Sequence, residues 1–392
     1  MNIRIQPKTL SGTVTPPPSK SMAHRAVLAL ALSDDNAGHT VSNLDWSQDI
    51  QATDRCVAAL KASRSDGELP FLDCGESGST LRFLIPIALA VAGGGIFTGR
   101  GRLMERPQKP YFDIFEEQGI FYEQKDNVLT IKGRLAPGTY RLPGNVSSQF
   151  VTGLLYALPL LPGDSSIEIT TPLESKGYVD MTLDMLKKFG ATVENGNYEF
   201  FRIPGNQSYQ ARSITVESDW SQAGFWYAAN FLDNHVTIQG LNTDSTQGDR
   251  VVASLYWKLA KPGDVDIDVS NCPDLLPPLA VMAARRKGTT RFVNAARLRI
   301  KESDRLSTTA ALLNSLGGQA EEGPDTLTVH GVPAFSGGTV DGANDHRIVM
   351  AAAIAATCSA APVTILGAEA VKKSYPSFWE DYNHLGGDVH VL

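Results

Sequence analysis

The stretch SKSMAHRAVLALAL (residues 19–32) opens on small polar and basic residues and continues as an apolar helix. Five more stretches share this form: SGSTLRFLIPIALA (77–90), VSSQFVTGLLYALPLL (146–161), SDWSQAGFWYAANFL (218–232), CPDLLPPLAVMAA (272–284) and NDHRIVMAAAIAA (344–356). Their separations, roughly 55–70 residues, suit large supersecondary units rather than a short solenoid repeat. Each run is apolar nearly all round, so it is expected to be buried on every side.

An amphipathic helix follows each run. QATDRCVAALKAS, PYFDIFEEQG, YVDMTLDMLKKFG, RVVASLYWKLA, DRLSTTAALLNSLGG and SFWEDYNHLGG carry apolar residues at helical spacing. Most close on glycine and enter short alternating strands, as in GIFYEQKDNVLTIKG from Gly119 and GGQAEEGPDTLTVHG from Gly317. Glycine suits the left-handed residue that ends such a helix. The pattern predicts an α/β protein of six units, three per half, with helices inside and sheets outside. An ordinary doubly wound sheet is the alternative that periodicity leaves open.

The 392 residues exceed one ordinary core, so two domains are expected. Hydrophobic residues make up 42% and charged residues 20%, a globular balance, and the net charge of -7 argues against nucleic acid or a membrane surface as partner. Anion sites must therefore be local clusters of Lys and Arg. The opening MNIRIQPKTLSGTV lacks the apolar run of a signal peptide, and FLIPIALAVAGGG from Phe83 is too short to span a bilayer. Cys56, Cys74, Cys272 and Cys358 are scattered without a zinc spacing, so reduced thiols in a cytoplasmic protein and no metal are expected.

Helix N-termini attract phosphate and carboxylate through unpaired N–H groups and a partial positive charge. Here the starts add side chains: Lys20, Ser21 and Arg25 on one, Gly78, Ser79 and Arg82 on another, Ser147, Ser148 and Gln149 on a third, His346 and Arg347 on the last. Further cations fall in segments read as loops: Arg106 in LMERPQKP, Lys301 and Arg305 in RIKESDRL, Lys372 and Lys373 in VKKSYP. Each has a plainer reading. The serines are N-caps, Arg82 and Arg297 pair with surface carboxylates, Gly78 serves a turn and His346 is a core histidine. Repetition of the combination across several units favours anion binding. No P-loop or dinucleotide fingerprint is present, so a nucleotide triphosphate is not the expected anion.

Two carboxylates stand out. Asp274 follows Pro273 at a helix start, which keeps it ionised as a base, or else makes it an N-cap. Glu302 sits between Lys301 and Arg305, as proton donor or as ion-pair partner. Lys20, among prolines and apolar residues, is a further candidate proton donor.

Together these elements resemble the 5-enolpyruvylshikimate-3-phosphate (EPSP) synthases nearly end to end. PSKSMAHRA, GESGSTLRF, LMERPQKP, NVSSQF, TPLESKGYVD, CPDLLP, RIKESDRL, NDHR and KKSYPSFW occur in that family's order. The resemblance implies a two-domain inside-out α/β barrel, each domain three βαβαββ units. It places residues 18–217 in one domain and 1–17 plus 218–392 in the other, with the active site in the cleft at a two-strand hinge.

The resemblance also implies roles. Lys20, Ser21, Arg25, Ser147, Ser148, Gln149, Ser175, Asp274 and Lys301 match positions that hold shikimate 3-phosphate. Lys20, Gly78, Arg106, Gln149, Arg305, Arg347 and Lys373 match those that hold phosphoenolpyruvate. Asp274 is the implied base, and Glu302 or Lys20 the donor to the methylene carbon. No cofactor or metal is implied, the partners are the two small substrates, a cytoplasmic monomer is expected, and glyphosate is implied to take phosphoenolpyruvate's place. Glu76 and Arg297 stand where many members carry Asn and are left out of the site. The sister transferase acting on UDP-N-acetylglucosamine uses a cysteine in the loop corresponding to GRGRLMERP, where none stands here. An inactive anion-binding protein of the same fold has little reason to keep Lys20, Asp274, Glu302 and Lys373 together.

Overall fold

The computed structural model describes residues 1–66 and 68–392, with the main chain alone at 64–66. It divides into two units, each with its own core: Lys20–Val216, and Met1–Ser19 with Glu217–Leu392. In the first, helices α1 (Lys20–Leu32), α2 (Gln48–Asp66), α3 (Gly78–Val91), α4 (Lys109–Gln118), α5 (Ser148–Ala157) and α6 (Lys176–Lys188) follow in order. In the second they are α7 (Trp220–Phe231), α8 (Val252–Leu259), α9 (Leu276–Ala284), α10 (Arg305–Ser315), α11 (His346–Ala356) and α12 (Phe378–His384).

The odd-numbered helices come from the six quoted runs and are buried on most or all faces. Every residue of α9 and α11 is buried, and α3 buries all from Gly78 to Leu89 except Ser79. Even-numbered helices keep a polar face; α4 buries only Pro110, Tyr111, Ile114 and Phe115. This is the arrangement that the hydrophobic patterning predicts.

Four sheets repeat one topology. Strand Phe71–Asp73 pairs in parallel with Gly94–Thr98, which pairs antiparallel with Val128–Lys132, itself antiparallel to Phe121–Lys125. Thr139–Leu142 with Ser165–Ile169, Phe200–Ile203 and Glu194–Gly196 repeats it, as does Val265–Asp268 with Thr289–Val293, Leu327–His330 and Gln319–Glu322. The fourth, Gly338–Asp341 with Val363–Leu366, borrows Ile3–Gln6 before ending on Asp388–Val391. The rest of the sheet structure is reduced to two-stranded pieces. The α/β class is therefore as expected. The sheets stay separate, so no closed hydrogen-bonded barrel forms among the described residues, and no single extended doubly wound sheet does either.

α3 and α5 meet at Gly153, where an added Cβ would stand 2.5 Å from the Arg82 carbonyl and closer still to Tyr111 Oη. Pro86 lies inside α3 and has no N–H for that carbonyl, four residues back. The Tyr111 hydroxyl donates to it instead, at 2.7 Å. This junction brings the starts of α3 and α5 into register.

Candidate active site

In the unit Lys20–Val216 the helix starts carry the candidate groups. Lys20, first in α1, sets its Nζ 2.7 Å from Asp49 Oδ2 in the first turn of α2. Ser21 follows, and its carbonyl accepts from Arg25 Nη1. Arg25 is buried and donates to Thr182 Oγ1 and the Tyr178 carbonyl, both at 2.9 Å. Burial pulls its pKa down to about 10. It stitches α1 to α6 as well as standing near Ser21, which its sequence position does not reveal.

Gly78 opens α3, and a Cβ added there would lie 2.6 Å from Arg106 Nη1. The two candidates are thus in contact through the space a side chain would fill. Arg106 is only 7% exposed, and its Nε is buried without a hydrogen-bond partner. Among the described residues its guanidinium makes no ion pair and no hydrogen bond. A buried, unpaired cation is costly unless an anion completes it.

Gln149 accepts from Arg82 Nη1 at 2.8 Å and donates to Ser79 Oγ at 3.0 Å, tying α5 to α3. Arg82 also donates to the Pro107 carbonyl and lies over the Phe150 ring, 4.8 Å from its centroid. It is buried, so the surface ion pair considered from sequence is ruled out. Ser147 is the N-cap of α5, accepting from Gln149 N, and Ser148 is the first helical residue. Ser175 takes the N-cap position of α6 in a left-handed conformation, φ 55°, and is buried. Glu76 packs against Gly101 and lines a polar cavity of about 280 Å³ with Asp49, Arg55 and Arg100.

In the other unit the candidates converge on Asp274. Its Oδ1 accepts from Arg305 Nη1 at 2.8 Å and from Lys301 Nζ at 3.4 Å, and its Oδ2 accepts from Arg347 Nη2 at 3.0 Å. Burial alone would raise this carboxyl's pKa, but Arg347, Lys301 and Arg305 outweigh it and hold it well below the usual range. Burial brings Lys301 down to about 8, with Asp274 opposing and Arg305 and Arg297 adding to the fall. Arg305 Nη2 donates to Glu302 at 2.6 Å, and its Nε to Asp345 at 2.8 Å. Lys373 is buried and donates to the Asn344 carbonyl. Arg297 is also buried, and its Nη2 donates to the Ser270 carbonyl.

Two local readings are corrected. Asp274 is not an N-cap: it lies inside the 3₁₀ turn Pro273–Leu275, capped by Cys272. Arg305 and Lys373 are not in loops, since Arg305 begins α10 and Lys373 ends the 3₁₀ segment Ala368–Lys373. Sequence reasoning gave no role to Asp49 or Asp345, and it left Arg82 out of the two substrate-binding sets. Asp345 is fully buried and caps α11 while holding Arg305. Its one signal was its place between Asn344 and His346 in the NDHR motif.

Two α/β units whose helix starts concentrate Arg, Lys and Ser suit polyanionic ligands, and solved structures agree on the fold. EPSP synthase from Acinetobacter baumannii superposes with a TM-score of 0.80 at 23% identity, covering all of both chains. The enolpyruvyl transferase NikO from Streptomyces tendae gives 0.76 at 17% identity, covering 99% of this chain and 98% of its own. The chain belongs to the EPSP synthase family: the family model "EPSP synthase (3-phosphoshikimate 1-carboxyvinyltransferase)" matches residues 5–382. The 3-phosphoshikimate 1-carboxyvinyltransferase of Clostridium acetobutylicum is 46% identical, over 99% of this chain and 98% of that one. That of Clostridioides difficile is 42% identical at the same coverage.

Proposed function

We propose that the protein transfers the enolpyruvyl group of phosphoenolpyruvate to the 5-hydroxyl of shikimate 3-phosphate, releasing phosphate. The observation that carries this reading is the buried Arg106 guanidinium against Gly78, unpaired among the described residues, a cation kept for an external anion. Family membership supplies the substrate pair.

In this reading Lys20, Gly78, Arg106, Gln149, Arg305, Arg347 and Lys373 hold phosphoenolpyruvate. Lys20, Ser21, Arg25, Ser147, Ser148, Gln149, Ser175, Asp274 and Lys301 hold shikimate 3-phosphate, so both units serve one reaction. The 5-hydroxyl oxygen adds to C2 of phosphoenolpyruvate as Asp274 takes the hydroxyl proton. C3 gains a proton from Glu302 or Lys20, giving a tetrahedral intermediate. Loss of a C3 proton then expels phosphate and restores the double bond. Preorganised cations favour the step because they are already fixed where charge develops in the transition state.

Asp274 in the free protein is ionised but weakly basic, because three cations hold its charge. Phosphoenolpyruvate taking Arg305 and Arg347 shares those counter-ions and raises the carboxylate's basicity when the hydroxyl must be deprotonated. Among the described residues no helix is long and apolar enough to cross a membrane. The reading includes a cytoplasmic monomer without cofactor. Purified protein is expected to release phosphate with both substrates, in step with enolpyruvyl ether formation, and none when UDP-N-acetylglucosamine replaces shikimate 3-phosphate. Absence of phosphate release with the first pair rejects the reading.

A further inference from the structure

Below Lys20, Asp49 and Gly78 a second set of polar groups lies buried, and the reaction uses none of them. His24 Nδ1 is 2.7 Å from Thr53 Oγ1, Thr53 Oγ1 is 2.7 Å from Thr80 Oγ1, and Thr80 Oγ1 donates to Ser77 Oγ at 2.7 Å. All four residues are at most 1% exposed. His24 stands four residues after Lys20 on α1, and Thr53 four after Asp49 on α2, so each lies one turn deeper on the same helix face. Thr80 is in the first turn of α3, and Ser77 is the N-cap that precedes Gly78.

One proton per hydroxyl orders the chain. The Thr80 hydroxyl gives its proton to Ser77, so it accepts from Thr53, whose hydroxyl is 2.7 Å from Thr80 Oγ1 against 3.4 Å from the Asp49 carbonyl, and Thr53 then accepts from His24 Nδ1–H. The imidazole is neutral: burial, then Lys20 and Arg25, hold its pKa well below 6.5. Among the described residues His24 Nε2 is left buried with no hydrogen-bond partner, and the imidazole and Phe83 rings meet edge to face with centroids 6.4 Å apart. A buried acceptor without a donor is unfavourable, and apolar groups of the same shape would serve stability as well. What directed hydrogen bonds supply and apolar faces do not is a single register between helices.

We propose that His24, Thr53 and Thr80 are positioning residues that fix the starts of α1, α2 and α3 against one another. They thereby set the Lys20–Asp49 pair relative to Gly78 and Arg106. The proposal rests on the reading that Lys20, Gly78 and Arg106 meet phosphoenolpyruvate. The relay touches no substrate, and it acts through the helix starts above it.

The test is Thr53→Val, close to isosteric, beside Thr53→Ser, Thr80→Val and Lys20→Met in the full chain. Displacement of a reacting group by about an ångström lowers turnover by up to about a hundredfold, so Thr53→Val and Thr80→Val should lose on the order of ten- to a hundredfold in kcat/KM. The loss should fall on kcat and the phosphoenolpyruvate KM more than on the shikimate 3-phosphate KM, to which Lys20 alone of these groups contributes. The melting temperature should fall as well, because valine leaves buried groups of His24 and Thr80 without their partner. Thr53→Ser, which restores the hydroxyl, should recover the parent values. Nitrogen-15 NMR of the parent should show His24 as the neutral Nδ1–H tautomer. Unchanged kinetics in Thr53→Val with Lys20→Met impaired overturns the relay alone, as does an Nε2–H tautomer. A parallel loss of stability and activity that serine does not rescue also overturns it. Unimpaired Lys20→Met overturns the site reading on which the proposal rests.

Discussion

At Gly78 a single hydrogen separates room for a ligand from a displaced arginine. The Cβ of Gly78→Ala would press on the Arg106 guanidinium, the free end of a flexible side chain, so the fold gives way cheaply while the cation moves. The phosphoenolpyruvate KM should rise about tenfold, roughly 1.4 kcal/mol, with melting unchanged, and competitive inhibition by glyphosate should weaken. An unaltered KM removes Gly78 from the site. Asp274 is a different case, because it neutralises three cations. Asp274→Asn should lower kcat by about 10²–10⁴-fold. It should also destabilise the free protein by on the order of 3 kcal/mol, since Arg305 stays buried with less counter-charge. The wild-type advantage is complete above the unfolded carboxyl's pKa and is lost as pH falls through the lowered folded value, so denaturant curves of the two proteins should converge in acid. Full turnover in the variant rejects the base. Lys301 titrates at about 8. Shikimate 3-phosphate affinity should therefore decline above that pH, and Lys301→Arg should move the decline upward. In the folded state the lysine binds its proton less readily than when unfolded. Stability should therefore gain with pH from about 8 to 10.5 and show no such gain in Lys301→Arg.

Between helices, α3 depends on a group outside itself. Tyr111 donates to the carbonyl that Pro86 leaves bare and also to the Phe150 carbonyl at 3.1 Å. Tyr111→Phe removes a donor to the Arg82 carbonyl, which Pro86 cannot serve, and a buried acceptor that loses its donor costs about 1–3 kcal/mol. Denaturant unfolding should register that loss; a change near zero would mean that water replaces the hydroxyl. The phosphoenolpyruvate KM should rise with it, because the Arg82–Gln149 link spans the same two helices. This junction marks the limit of what the sequence discloses. The apolar runs around Leu84, Leu154 and Ala352 declare buried helices because period and composition are local properties. Ser147 and Ser148 at the start of α5 and the cations in the opening turns of α1 and α11 mark candidate anion sites for the same reason. Pro86 was legible, but its partner lies on another helix. Arg82 and Arg297 allow a surface ion-pair reading because burial depends on tertiary neighbours that local pattern does not encode. Asp49 and Asp345 escaped notice because an ordinary helix-start carboxylate and one facing a distant cation look alike in a sequence.

Across the whole molecule, the candidate groups divide between two units that each have a separate core. Gly78, Arg106 and Gln149 fall in one, while Asp274, Arg305, Arg347 and Lys373 fall in the other. A ligand that engages both sets binds only when both units are folded, so its binding energy stabilises each against unfolding. Mass action sets the size: ligand at a hundred times its Kd adds about 2.7 kcal/mol. Calorimetry with saturating shikimate 3-phosphate and phosphoenolpyruvate should raise the unfolding temperature of both units. Probes placed in each, such as Trp46 in one and Trp257 in the other, should report the same shift. Arg106→Ala and Arg347→Ala each remove a binding group from one unit alone. If the substrates take both sets of residues, either variant should diminish the shift reported by both probes. A shift that stays confined to the unit carrying the intact residues would mean that the two sets of cations bind separate ligands, and the assignment of residues to one reaction would fail.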